Sequence, residues 1–260
     1  MSESLRPAQP YPILEFDPAP EAVIEPARIL KSIDAPEHCV VCFFREVIEQ
    51  VCAERQAKTL FALKCEDGNH PLYEIDVNGK RLAILHPGVG APMAAGLLEG
   101  VIALGCKKFI ACGSAGVLNK EIAVGHLIVP ASAVRDEGTS YHYLPPAREV
   151  GASAEGIAAI ERTLQAHNVP YLVSKTWTTD APYRETRAKV RQRKAEGCVA
   201  VDMEAAAFFA VAQFRRVTFG QILYGGDDVS GGEWDSRRWH TREEIRQNLF
   251  WLAAEACLAL

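Results

Sequence analysis

The run Val201-Asp202-Met203-Glu204-Ala205-Ala206-Ala207 sets two carboxylates around a methionine where an apolar strand gives way to an alanine-rich helix. Acids are tolerated there because the unpaired N–H groups of a helix start carry partial positive charge. Two uses fit the pattern: Asp202 and a first-turn Glu cap the helix, or the acids turn toward a ligand. A second acidic turn, Tyr224-Gly225-Gly226-Asp227-Asp228-Val229-Ser230-Gly231-Gly232, ends another apolar strand, and its acids either sit in solvent or face a cleft. Two more turns have the composition of anion holders. His86-Pro87-Gly88-Val89-Gly90-Ala91-Pro92 puts two glycines between a strand and a helix, baring backbone N–H groups at the positive end of the helix dipole. Cys112-Gly113-Ser114-Ala115-Gly116 repeats the design and adds the Ser114 hydroxyl. Glycine serves a tight turn equally well, so neither identifies a phosphate alone, but two such turns after strands argue for one shared pocket.

Of the eight cysteines, only Cys39 and Cys42 have the spacing of a redox or zinc motif. Their surroundings, His38-Cys39-Val40-Val41-Cys42-Phe43-Phe44, read as a strand, where residues three apart point to opposite faces. No second Cys-x-x-Cys exists, so no metal site is expected and the cysteines read as reduced core residues.

The elements that must position these groups alternate along the chain. Strands are expected at 39–44, 73–77, 81–85, 108–112, 127–130, 171–174, 199–201 and 218–224, and helices at 46–55, 91–104, 155–167, 184–195, 203–214 and 241–259. Asn78-Gly79 marks a hairpin between the second and third strands. Thr241 and Glu244 have the spacing of a capping box, and Ile245, Leu249, Leu252, Ala253 and Ala256 form an apolar stripe on the last helix. The pattern predicts an α/β fold, one domain at 27–260 with a mixed central sheet flanked by helices, preceded by a proline-rich irregular arm at 1–26. Ligands of such sheets collect beyond the carboxyl ends of strands, which points to the turns after residues 85, 112, 174, 201 and 224.

Composition narrows the partners. A chain of 260 residues that is 48% hydrophobic and 23% charged can bury a sizeable core. A formal net charge of −5 provides no basic field for a nucleic acid, so a small molecule is the expected partner. Residues 1–10 lack the apolar core of a secretory signal and nowhere do eighteen apolar residues run together, so no membrane association and a cytoplasmic location are expected.

Taken in order, Gly88-Val89-Gly90-Ala91-Pro92, Gly113-Ser114-Ala115-Gly116, Asp136-Glu137-Gly138-Thr139-Ser140-Tyr141-His142, Asp180-Ala181-Pro182-Tyr183, Val201-Asp202-Met203-Glu204-Ala205 and Asp227 resemble the purine and uridine phosphorylases of the nucleoside phosphorylase-I family, across about 81–230. The stretch after Asp136 is most similar to the uridine branch, whereas Asp227 is more like the purine branch. The resemblance implies a pentosyltransferase in which inorganic phosphate, as co-substrate, attacks the anomeric carbon of a purine or pyrimidine nucleoside to give free base and ribose or deoxyribose 1-phosphate. It implies no metal or organic cofactor, and a homo-oligomer (dimer, trimer or hexamer). Carried over by position, Glu204 grips ribose hydroxyls and steadies positive charge on the sugar, with Met203 and Asp202 at the substrate. Asp227 protonates a departing purine, which requires it to hold a proton with substrate bound. Tyr183 falls in the loop that shapes the base pocket, Thr186 or Arg187 lies near where the uridine branch reads its base, His142 is expected to bind substrate, and Gly88, Gly90 and Ser114 contact phosphate.

Two departures open alternatives. The family's phosphorylases have an arginine three residues before the hydroxyl matching Ser114, where this chain has Ala111, and their amino-terminal phosphate motif is reduced here to Phe16-Asp17-Pro18. A guanidinium is a strong phosphate ligand, so its loss weakens anion binding unless another cation replaces it. Arg45 resembles the arginine that family members lend to a neighbouring subunit and is one candidate. The alternatives are a nucleosidase that uses water, and a non-catalytic nucleoside binder, against which the pair Glu204 and Asp227 argues.

Overall fold

A mixed sheet of ten strands organises the chain. The computed structural model describes residues 8–260, so the first seven residues of the arm lie outside the described residues. The strands are β1 (His38–Cys42), β2 (Lys58–Cys65), β3 (Gly68–Val77), β4 (Lys80–Leu85), β5 (Lys108–Val117), β6 (Leu127–Asp136), β7 (Glu149–Gly151), β8 (Tyr171–Thr179), β9 (Cys198–Asp202) and β10 (Thr218–Asp228). The helices are α1 (Pro26–Ile29), α2 (Arg45–Glu54), α3 (Ala91–Leu104), α4 (Ala154–Ala166), α5 (Arg187–Ala195), α6 (Ala205–Arg215) and α7 (Glu243–Leu258). The expected α/β class, with a mixed sheet and flanking helices, is what the chain adopts.

The sheet runs β10-β6-β8-β9-β5-β1-β4-β3-β2, and a further parallel pairing of β10 with β5 closes five of its strands into a ring. Closure sets the site. Within the ring, Tyr224 stands opposite Ser114 and Gly116 opposite Val201. The ends of β5, β9 and β10 therefore meet.

The sheet buries both faces. One carries Cys39, Val41, Ala111 and Phe219 against α3 and α6, and the other carries Val40, Cys42, Ile222 and Tyr224 against α2, α4 and α7. Cys39 and Cys42 thus point to opposite faces, as their strand spacing requires. Burial pushes the Cys39 thiol well up, with Cys106 beside it, which suits an inert core thiol.

Several boundaries differ from expectation for identifiable reasons. Strands β5 and β10 do not stop at their glycines: their mutual ladder continues through Gly113 and Gly225, so Gly113 to Gly116 are strand residues and not a loop. Small residues serve close packing there. A methyl group at Gly116 would lie 2.9 Å from Val201 Cγ1 and 3.6 Å from Asp227 Oδ1. Strand β2, absent from the sequence reading, is an edge strand paired with β3. At Asn78 and Gly79 both φ angles are positive, 54° and 81°, as the expected tight hairpin requires. The capping box does not form. The Thr241 hydroxyl donates to Arg238 O, and α7 begins after Arg242 without a side-chain cap. The buried stripe of α7 is also rotated by about one residue, to Arg246, Leu249, Phe250, Ala253, Ala254, Ala256 and Cys257.

Candidate active site

Beyond the carboxyl ends of β1, β5, β9 and β10 lies a cavity of about 780 Å³ whose walls include Ser114, Tyr183, Met203, Glu204 and Asp227. Each wall has a local cause. At the β9–α6 junction the Asp202 carboxylate accepts the backbone N–H of Glu204 at 2.9 Å and of Ala205 at 2.6 Å. It also accepts the hydroxyls of Thr176 and Thr178, both at 3.0 Å. Four donors saturate it. Asp202 reaches the cavity wall, but its carboxylate caps α6 and ties that helix to β8.

Glu204, by contrast, turns back across the cavity. Its Oε1 accepts the Gly90 N–H at 2.6 Å, and Gly90, at φ 92° and the N-cap of α3, holds a backbone shape that favours glycine. The carboxyl is buried with no cation bonded to it. Burial first, and the neighbouring Asp202 charge second, push its pKa up to about 8. The acid can be re-ionised by a ligand that donates hydroxyl hydrogens to it.

Asp227 sits over Gly116, and its Oδ2 accepts the Trp234 indole N–H at 2.6 Å. Trp234 belongs to the segment after β10, where Gly231, Gly232 and Trp239 also line the cavity. A further acid, Glu185, lines the same space. Burial, then the charges of Asp227 and Asp202, raise its pKa to about 7.

The other expected residues divide. Arg187 lines the cavity and donates to Gly232 O at 2.6 Å. Val89, rather than Gly88 or Gly90, lines it from the glycine turn, and the Gly90 N–H is already given to Glu204. From the end of β1, Phe43 and Phe44 contribute to the wall and Arg45 does not; Arg45 is exposed. His142 is also exposed, in a short helical turn off the cavity. Its motif is occupied in structure: Glu137 accepts the Ser140 N–H at 2.9 Å, and Gly138 N–H donates to Asp180 at 2.8 Å.

Sequence reasoning missed Glu185, Gln221 and Arg246, all of which line the cavity. Gln221 is 1% exposed, and neither end of its amide has a partner. It stands opposite Ala111 in the β5–β10 ladder. A polar residue amid the apolar run Phe219 to Leu223, and an arginine on the inner stripe of α7, were the available signals.

Among the described residues one trio has metal-ligand geometry, Cys65, Asp67 and His70 at the β2–β3 turn, with ligand atoms within 4.8 Å of one another. None of the three lines the cavity, and His70 Nε2 is already 3.1 Å from Asp67 Oδ1. Among the described residues, no helix is long and apolar enough to cross a membrane.

Comparison with known proteins matches residues 37–257 to the family model described as the phosphorylase superfamily. A guanosine phosphorylase of Halorubrum lacusprofundi is 29% identical over 176 residues, 66% of this chain and 71% of the relative. A uridine phosphorylase of Thermococcus kodakarensis is 32% identical over 105 residues, 40% of this chain and 38% of the relative. Among solved structures, a uridine phosphorylase from Vibrio fischeri superposes with a TM-score of 0.72 at 22% identity, covering 87% of this chain and 94% of the other. An AMP nucleosidase from Bacteroides thetaiotaomicron gives 0.69 at 21% identity, covering 88% and 90%.

Proposed function

Since the chain belongs to the phosphorylase superfamily, the nucleoside phosphorylase family its motifs resemble, we propose that it cleaves the N-glycosidic bond of a purine nucleoside with inorganic phosphate. Nucleoside phosphorylases of this family use phosphate as co-substrate and need no organic cofactor. The observation that carries the reading is that Ser114, Met203, Glu204 and Asp227 line one cavity. In it, Glu204 accepts ribose hydroxyls and Met203 packs on the sugar. As the bond between C1′ and the base nitrogen breaks, its electron pair passes to the base, which takes a proton from Asp227. Glu185 lines the same cavity and, its pKa raised to about 7 by burial first and by the Asp227 and Asp202 charges next, is a second acid that can return the proton to Asp227 after the base departs. A phosphate oxygen then bonds C1′ on the side of Ser114, and the developing positive charge on the sugar is steadied by ionised Glu204. The purine preference rests on Asp227 and is supported by the guanosine-phosphorylase relative, which spans more of this chain than the Thermococcus uridine enzyme.

A second reading, hydrolysis, is favoured by one observation: Ala111, at the family's arginine position, is fully buried and faces the neutral Gln221 across the ladder. The two are separated by incubating guanosine, inosine and uridine with and without phosphate and resolving the products. Sugar phosphate and base support phosphorolysis, free sugar without phosphate supports hydrolysis, and ligand-dependent melting without any product supports a binder and rejects both. A homo-oligomer belongs to the first reading, with Arg45, exposed on its own subunit, lent to a neighbour. Full activity from a sedimenting monomer would exclude that loan.

A further inference from the structure

The cavity needs a cation if it is to hold phosphate, and Ala111 supplies none. Arg246 of α7 is the buried guanidinium that lines it, with 8% of the residue exposed. Its guanidinium carbon lies over two rings, 5.0 Å from the Phe44 centroid and 5.5 Å from that of Trp239. Its Nε lies 3.3 Å from the Tyr224 hydroxyl and its Nη1 donates to Glu46 at 2.5 Å. Nη2 makes no hydrogen bond to a described residue. Glu46 is 47% exposed, so water screens the carboxylate far more than the guanidinium, and the pair leaves net positive character facing the cavity.

The register puts this charge on the same side of the sheet as the serine. Tyr224 and Ser114 are partners in a parallel ladder, so their side chains leave the sheet on the same face. One pleat earlier, Cys112 and Ile222 lie on the α7 side. The start of α2 adds further donors, because its N-cap residue Phe44, also in the cavity wall, provides no side-chain cap and leaves the first-turn N–H groups to another acceptor.

We infer that Arg246, together with the Ser114 hydroxyl and the open start of α2, forms the seat of inorganic phosphate in this protein, taking over from the arginine that Ala111 replaces. The inference rests on the phosphorolytic reading of the cavity. Arginine suits the position because its planar fork survives burial charged and meets a phosphate through two parallel N–H groups. Glu46 competes with phosphate for the same fork.

The test uses the full chain with inorganic phosphate as the probe. Wild-type melting should rise by about 3–6 °C at phosphate tenfold above its Kd, and Arg246→Met should lose that rise. In steady state Arg246→Met should raise the phosphate KM by about 30-fold or more while the nucleoside KM changes less than about twofold. Arg246→Lys, which keeps the charge without the fork, should fall between. Glu46→Gln should lower the phosphate KM by about threefold, a gain that a purely structural ion pair would not give. Should Arg246→Met fold poorly, judged by melting without phosphate, the Arg246→Lys and Glu46→Gln results decide. Unchanged phosphate stabilisation and KM in these variants would overturn the inference. Cleavage by water with no phosphate effect would overturn it too while leaving glycosidic cleavage intact. Arg246-dependent phosphate binding without any cleavage would uphold the seat and sink the proposed reaction.

Discussion

Replacing Glu204 with Gln keeps the size of the side chain and an oxygen to accept the Gly90 N–H, but removes the ionisation. The wild-type carboxyl is held near pKa 8 instead of its ordinary 4.5. Below pH 4.5 both folded and unfolded chains keep the proton. Between there and about 8 the unfolded chain ionises first, so the folded state is progressively disfavoured as pH rises. Each unit corresponds to about 1.4 kcal/mol, and because the Asp202 charge shares in the effect we expect about 2–5 kcal/mol of lost stability across the range. The assay is urea unfolding of wild type and Glu204→Gln at pH 5 and pH 9, without ligand. The two proteins should be similar at pH 5, and the variant should be more stable at pH 9, while its nucleoside turnover falls by about 100-fold or more. Stability curves that run parallel from pH 5 to 9 would refute the idea that burial keeps Glu204 protonated.

Other consequences are as specific. Asp227→Asn should reduce kcat/KM for guanosine or inosine by about 100-fold or more and for uridine by clearly less; equal losses on both would contradict its role as proton donor. Asp202→Ala, which strips four donors of their acceptor, should cost about 3–5 kcal/mol in unfolding measurements, whereas Met203→Ala should leave stability within about 1 kcal/mol and raise the nucleoside KM. Gly116→Ala should destabilise the fold by about 1–3 kcal/mol through its contact with Val201 and depress turnover through the displaced Asp227; wild-type melting and activity would show that the strands are not packed as described.

The architecture was legible wherever local pattern and tertiary packing agree. Helix α3 begins and ends where its small apolar run does, and Asn78-Gly79 forms its hairpin, because both are decided by nearby residues. The extensions of β5 and β10 were not legible: glycines that read as a stop are kept in strand by the neighbouring ladder and by the closed ring. At the site, Ser114, Met203, Glu204 and Asp227 came from motif order, and the cavity unites them. Asp202 shows how one motif divides its labour, with the first acid spent on capping and the second reaching across the cavity to Gly90. Gln221 and Arg246 were hidden because each belongs to an element whose pattern announces only packing. Their significance appears once the register of β10 and the rotation of α7 are known.

The most direct test of the account is a structure of the protein with a purine nucleoside and phosphate bound. We expect the ribose hydroxyls within hydrogen-bond distance of Glu204, the base beside Asp227, and the phosphate between C1′ and the Ser114–Arg246 wall. A nucleoside bound on another surface, with Glu204 and Asp227 both out of its reach, would contradict the account.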